Sequence, residues 1–166
     1  MAGNAFNKGQ GALHAGIGIG FAGLFGVSDL PPITLAYEAA IQPKIGIGGI
    51  VGYTSSSFDG GTSGTYSYKY KYTYIIVGAR GNYHFLEDNE KFDAYGGVTL
   101  GYNIVSSSIT ETGTKSPFFT PAAASASFML FGGHLGGRYY FSPKFGLYAE
   151  AGYGIGYINA GVVLKL

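Results

Sequence analysis

Between Phe131 and Tyr153 the chain alternates apolar with small or polar residues at a period of two, folded once at Ser142-Pro143-Lys144. Period two is the signature of a strand, because successive side chains leave opposite faces of the sheet. Phe131, Leu135, Tyr139 and Phe141 share one face of the first strand, with Gly132, His134, Gly136 and Arg138 on the other. Past the turn, Phe145, Leu147, Ala149, Ala151 and Tyr153 lie together, and Glu150 lies with Gly146, Tyr148, Gly152 and Gly154. The apolar face is unbroken and aromatic at both ends, while the other carries one formal charge per strand and little bulk. A water-soluble sheet would turn its charged face outward. This pattern instead expects the greasy face to meet lipid and Arg138 and Glu150, level with each other across the turn, to face an interior.

The rest of the chain repeats the pattern. Leu13, Ala15, Ile17, Ile19 and Phe21 alternate with His14, Gly16, Gly18 and Gly20. After Asp29-Leu30-Pro31-Pro32, Ile33, Leu35, Tyr37, Ala39 and Ile41 alternate with Thr34, Ala36, Glu38 and Ala40. Gln42-Pro43-Lys44 is a tight turn, since proline cannot donate into a ladder. A third strand follows, with Ile45, Ile47, Gly49, Val51 and Tyr53 outward, and then a polar loop over residues 55–65. The fourth begins with Tyr66, Tyr68, Tyr70, Tyr72 and Tyr74 on even positions and continues with Ile75, Val77, Ala79, Tyr83 and Phe85 on odd ones. That switch of parity near Tyr74 implies either a β-bulge or a strand leaving the membrane there. Arg80, Asn82 and His84 then face inward. Beyond the hydrophilic turn at 87–91, Ala94, Gly96, Val98, Leu100, Tyr102 and Ile104 point outward, and 106–123 reads as the longest loop. Ile158, Ala160, Val162, Leu164 and Leu166 form the last outward face.

The count is eight strands with short turns and longer loops in near alternation, the anatomy of an antiparallel up-and-down transmembrane β-barrel. A chain of 166 residues makes one such domain over 1–166, with 1–10 a flexible leading segment. Charged residues are only 11% of the chain, against about a quarter in ordinary soluble domains. No apolar run approaches the ~18 residues of a membrane helix, which leaves strands as the means of crossing. The net charge of +1 gives no electrostatic case for nucleic acid. Cysteine is absent, so thiolate and disulfide chemistry are too. MAGNAFNKGQG lacks the basic region and apolar core of a secretion signal, as expected of a mature exported form with an added start Met.

Hydrocarbon tolerates no open sheet edge, so the first strand must pair with the eighth. An eight-stranded interior is just wide enough for side chains. Glu38, Arg80, Arg138 and Glu150 are expected there as one balanced charge layer near the short turns, beside His14 and His134 as interior polar groups. A buried unpaired charge is costly, so balance at one level is what such a layer needs. The simpler role for it is a structural plug that fixes register; a gate or proton-linked switch is the other. Inward Gly16, Gly18, Gly20, Gly46, Gly48 and Gly52 leave room that Tyr95, Tyr140, Tyr148 and Phe128 can fill from across the barrel. If they do not fill it, a narrow cavity remains. Aromatic girdles complete the picture: Phe21, Tyr53, Tyr72, Tyr102 and Tyr153 at the loop end, and Tyr83, Phe85, Tyr139, Phe141 and Phe145 at the turn end. Amphipathic rings favour those two headgroup levels.

Patterns for chemistry are weak. GIGIG at 16–20 is followed by no helix that could offer its N-terminus to a phosphate. His14, His84 and His134 have no Asp, Glu or Cys at ligand spacing, so no metal site is expected. The serines cluster in loops rather than beside a base. The Tyr-Lys stripe at 66–74 could stack bases or sugars, but an interfacial girdle is the simpler account. No catalytic residue and no cofactor are expected.

GARGNYHF (78–85), FDAYGGVTLGYN (92–103) and GGRYYFSPKFGLYAEAGYG (136–154) resemble the outer-membrane β-barrel family of Bacteroidota, related in architecture to the OmpX, OmpA transmembrane-domain and OmpW barrels. The closing AGVVLKL is similar to that family's C-terminal insertion signal, with Leu166 where Phe is usual. The resemblance implies a bacterial outer-membrane barrel, with Arg80, Arg138 and Glu150 at positions that form an interior ion-pair network in small barrels. The expected role is structural or surface interaction. Its partners would be outer-membrane lipid, and other outer-membrane proteins or surface ligands met through 55–65 and 106–123. The alternative is a narrow pore or carrier for small or hydrophobic solutes.

Overall fold

The computed structural model describes residues 5–20, 27–63, 65–86, 89–114, 122 and 126–166. Among them are eight strands: β1 (Gly11–Ile19), β2 (Val27–Gln42), β3 (Ile45–Ser63), β4 (Tyr66–His84), β5 (Phe92–Thr112), β6 (Phe128–Tyr140), β7 (Phe145–Tyr153) and β8 (Ile158–Lys165). Each pairs antiparallel with its neighbour in sequence, and β1 closes on β8 from Ala12↔Lys165 to Ile19↔Ile158, so the sheet is a closed barrel.

Parity settles which face is which. Ile17, Val98 and Leu147 stand outward at 55%, 67% and 54% exposure, while Arg138 and Glu150 inside retain 1% and 7%. Burying the charges and exposing the aliphatics is stable only where the outer solvent is hydrocarbon.

The barrel is taller on one side than its sequence pattern suggests. Residues 55–63 and 106–112, expected as loop, continue β3 and β5 without leaving the sheet. Both pair with β4 along its whole length, to Ser63↔Tyr66 and Ser67↔Thr112. The Ser, Thr and Ile of these runs suit a pleated surface despite their polarity. The glycines of β3 are absorbed as a register shift between Asp59 and Gly61. At 19–21 residues, β3, β4 and β5 are about twice the 9–11 a membrane requires, so their upper halves stand outside it.

The register of β4 is continuous, so no bulge accompanies the parity switch near Tyr74. The strand leaves the membrane there. Its even-numbered tyrosines keep the inward parity of Ile76 and Arg80, and Lys69 and Lys71 take the outward face once that face meets water. Tyr72 therefore does not belong to the outer girdle: it packs against an interior cluster of Ala36, Ile50, Tyr74, Ile76, Leu130 and Ile155.

The leading segment is also ordered where the structure describes it. The Gly9 amide donates to the Ala40 carbonyl at 2.8 Å, and the Ala40 amide to the Gln10 carbonyl at 2.9 Å. Phe6 stacks on His84 with ring centroids 3.4 Å apart, and Ala5 is buried with Ala12, Tyr140, Tyr148 and Val163. Apolar Ala5 and Phe6 find the barrel's turn-end mouth to bury in, which is why residues 5–10 are not a loose tail.

Candidate functional site: the barrel interior

The interior has two storeys. Toward the loop end lies the apolar cluster, closed from above by Ile155 in the short β7–β8 connection, where Gly154 (φ 133°) and Gly156 (φ 83°) take backbone angles that side-chain-bearing residues avoid. Toward the turn end lies a polar layer in which the expected charges meet in two pairs. Arg80 Nη2 donates to Glu150 Oε1 at 2.8 Å, and Arg138 Nη2 donates to Glu38 Oε2. The Tyr95 hydroxyl donates to Glu150 Oε1 at 2.7 Å, and the Arg138 guanidinium lies 4.4 Å from the Tyr95 ring centroid. The Asn82 amide donates to Glu38 Oε1 at 2.7 Å. His134 sits beside Arg80, with its Nε2 2.8 Å from the Asn82 amide oxygen, and so bridges the two pairs.

Two members escape a reading by charge balance alone. Asp93 is 1% exposed and approaches Arg138 Nη1 at 3.4 Å. His84 is fully buried, with Nδ1 2.8 Å from Asp93 Oδ1 and Nε2 3.2 Å from Glu38 Oε1. A carboxylate stands against each ring nitrogen, so Glu38, Asp93 and Glu150 share the layer with Arg80, Arg138 and the His84 imidazole. Parity could have found Asp93, two residues before inward Tyr95, but its neighbours in the hydrophilic 87–91 turn disguise it. His84 was legible as inward, not as a charge partner.

His14 is buried as expected, edge-on to Tyr148 with centroids 5.0 Å apart, and makes no hydrogen bond to a protein group among the described residues. It contributes packing rather than a link in the network. The inward glycines are spaces already taken. A methyl at Gly46 would overlap the Glu38 carboxylate, and one at Gly16 the Tyr148 hydroxyl. Tyr95, Tyr140 and Tyr148 are buried across the barrel, and Phe128 packs on the apolar cluster. Among the described residues, one cavity of ≈ 20 Å³ is lined by Arg80, Thr99, His134, Glu150, Ile155 and Asn159 among others, and another of ≈ 10 Å³ lies beside Phe6, Glu38 and Arg138. A single water requires roughly 10–15 Å³ on this measure, so neither admits a solute.

On the outer surface, Tyr53, Tyr102 and Tyr153 stand exposed toward the loop end, and Tyr83, Phe85, Tyr139, Phe141 and Phe145 toward the turn end. Phe21 lies outside the described residues.

The family model described as outer membrane protein beta-barrel domain matches residues 19–163. Solved structures share the fold at low identity. The N-terminal β-barrel domain of OprF from Pseudomonas aeruginosa is 11% identical with a TM-score of 0.60, over 97% of this chain and 100% of that one. OprG from the same organism is 11% identical with a TM-score of 0.59, over 100% and 99%. Ail, the attachment invasion locus protein of Yersinia pestis, crystallised with the heparin analogue sucrose octasulfate, is 17% identical with a TM-score of 0.50, over 95% and 96%. No curated protein sequence matches. The chain belongs to the outer membrane protein beta-barrel domain family, and its place is a bacterial outer membrane.

Proposed function

We propose that this member of the outer-membrane barrel family is a closed, non-conducting barrel whose role is structural or surface interaction, with no chemistry of its own. The observation that carries the reading is the packing of the described interior: Arg80 paired with Glu150 and Arg138 with Glu38 and Asp93, below an apolar cluster, and cavities of ≈ 20 and ≈ 10 Å³ among the described residues. A pore for ions or a carrier for hydrophobic solutes would need Ile155 or Phe6 to withdraw and part of the charge layer to separate, and breaking one such pair costs ~3–5 kcal/mol. The upper halves of β3, β4 and β5, which take in 55–63 and 106–112 of the segments expected to meet partners, support the surface role as a wall standing outside the membrane. The motifs at 78–85 and 136–154 support a source among the Bacteroidota.

Conductance across planar lipid bilayers tests this. The full chain is expected to give no steady openings at neutral pH. Regular single-channel steps, removed by refolding the same preparation with Ile155→Trp, would instead establish a pore through the β7–β8 connection.

A further inference from the structure

Each short turn of the barrel carries a lysine. Lys44, Lys91 and Lys144 stand just before β3, β5 and β7. Their carbonyls accept amides from the neighbouring strands, from His84 at 2.8 Å, Tyr140 at 2.7 Å and Lys165 at 2.7 Å. The leading segment adds Lys8 at the remaining gap, between β1 and β2, where the Gly9 amide donates to the Ala40 carbonyl. Acids at this end are unevenly placed. Glu87, Asp88 and Glu90 all fall in the β4–β5 connection, whereas 1–10, 42–44, 141–145 and 161–166 hold no Asp or Glu. Glu38 and Asp93 are inside, against Arg138 and His84. Lys44 and Lys91 flank the acidic connection, and the Lys165 ammonium lies over the Tyr140 ring, 4.3 Å from its centroid. Lys8 and Lys144, on either side of the β8–β1 pair, therefore make a basic sector with no acid in its own turns.

Both lysines are exposed, at corners that the backbone fixes. The Gln10 amide donates to the Asn7 carbonyl at 3.1 Å and the Asn7 amide to Gln10 Oε1 at 3.1 Å, so Lys8 and Gly9 (φ 88°) form the corner of a closed turn. Lys144 sits in a similar one, where the Ser142 amide donates to the Phe145 carbonyl at 3.2 Å and the Phe145 amide to Ser142 Oγ at 2.9 Å. Two strand spacings, about 10 Å, separate the two turns. On the outer surface beside them, Tyr37, Ile41, Phe141 and Phe145 are exposed to lipid. The ammonium groups thus stand just past the hydrocarbon, where a lysine stem lies along apolar surface and its charge reaches the headgroups. We propose that this sector docks the barrel on anionic phospholipid headgroups in the leaflet that the short turns face, which in such barrels is the periplasmic one. A lipid with net negative charge meets the ammonium groups and the adjoining apolar face together, which a soluble anion or an acidic protein does not. The proposal needs only the placement in the membrane and stands whether or not the barrel conducts.

The test uses the full chain with a single reporter indole, Leu147→Trp beside Lys144 or Val98→Trp across the barrel on β5, refolded into phosphatidylcholine vesicles at low salt. A minor share of the lipid is phosphatidylglycerol with brominated acyl chains or, for comparison, brominated phosphatidylcholine. An ammonium near an anionic surface is worth about fivefold in affinity, so at position 147 brominated phosphatidylglycerol should quench as if enriched at least about fivefold over brominated phosphatidylcholine. At position 98 the two should quench alike. Lys8→Glu with Lys144→Glu should remove the preference at 147, and Lys8→Arg with Lys144→Arg should keep it. Salt at about 1 M should remove it too, since the screening length falls to ~3 Å. The salt comparison needs no lysine variant to fold, and unaltered gel mobility of the folded barrel checks the variants. Equal quenching by the two lipids at 147 would overturn the proposal, and so would a preference that survives Lys8→Glu with Lys144→Glu. A preference at 147 lost instead with Lys69→Glu and Lys71→Glu would assign it to the other end and overturn it equally.

Discussion

Arg138 is the side chain on which most of the interior converges, reaching Glu38, Asp93 and the face of Tyr95. Removing it leaves two buried carboxylates short of a partner, and the loss expected for Arg138→Ala is ~3–5 kcal/mol. Lys144→Ala, in an exposed turn, should stay within ~0.5 kcal/mol. Urea midpoints for refolding into lipid vesicles read both; equal midpoints would remove the idea that the charge layer holds the barrel together. Gly46→Ala probes the same layer from the side of volume. Its methyl would displace the Glu38 carboxylate, and overpacking of that kind costs about 1–3 kcal/mol. Alanine at Gly49, which faces lipid with only the Gly78 carbonyl near at 3.5 Å, should be close to neutral by the same measurement. At this scale the charged members Glu38, Arg80, Arg138 and Glu150 were legible from parity and balance. The pairing was not, because sequence supplies the level of a residue on its strand but not the shear that carries levels around the barrel.

Elements were read well where lipid enforces the alternation and poorly where it does not. Beyond the membrane, water meets the outer face and the apolar signal moves to the inner one, so the parity switch at Tyr74 left a bulge and an exit from the membrane both open, and the unbroken register leaves the exit. For the same reason the serine-rich ends of β3 and β5 resembled loops, though β4 holds both in the sheet. Residues 5–10 show a third limit: a short stretch with two apolar residues gives no local pattern, and only the closed barrel provides the mouth that Ala5 and Phe6 enter. Phe6→Ala should loosen that closure. Faster hydrogen exchange is expected at the Gly9 and Ala40 amides, which hold the segment to β2, with no change at the Val98 and Leu100 amides in the membrane-spanning part of β5. Unchanged exchange at Gly9 and Ala40 would mean that Phe6 does not anchor the segment.

For the molecule as a whole, the closed ring, the outward aliphatics and the inward charges are one statement about solvent. Every described girdle residue except Tyr72 stands on the outer surface, and the network stands within. The chain contains no tryptophan, so a single introduced indole reports its surroundings without background. The most direct measurement places tryptophan singly at Leu147, Val98 and Tyr148 in chain refolded into vesicles with brominated acyl chains. Bromine contact should quench strongly at positions 147 and 98, whose side chains point into the bilayer, and little at 148, which points to the barrel axis. Strong quenching at 148 with bright emission at 147 and 98 would mean the sheet is turned the other way, with aliphatics gathered inside and ions outside.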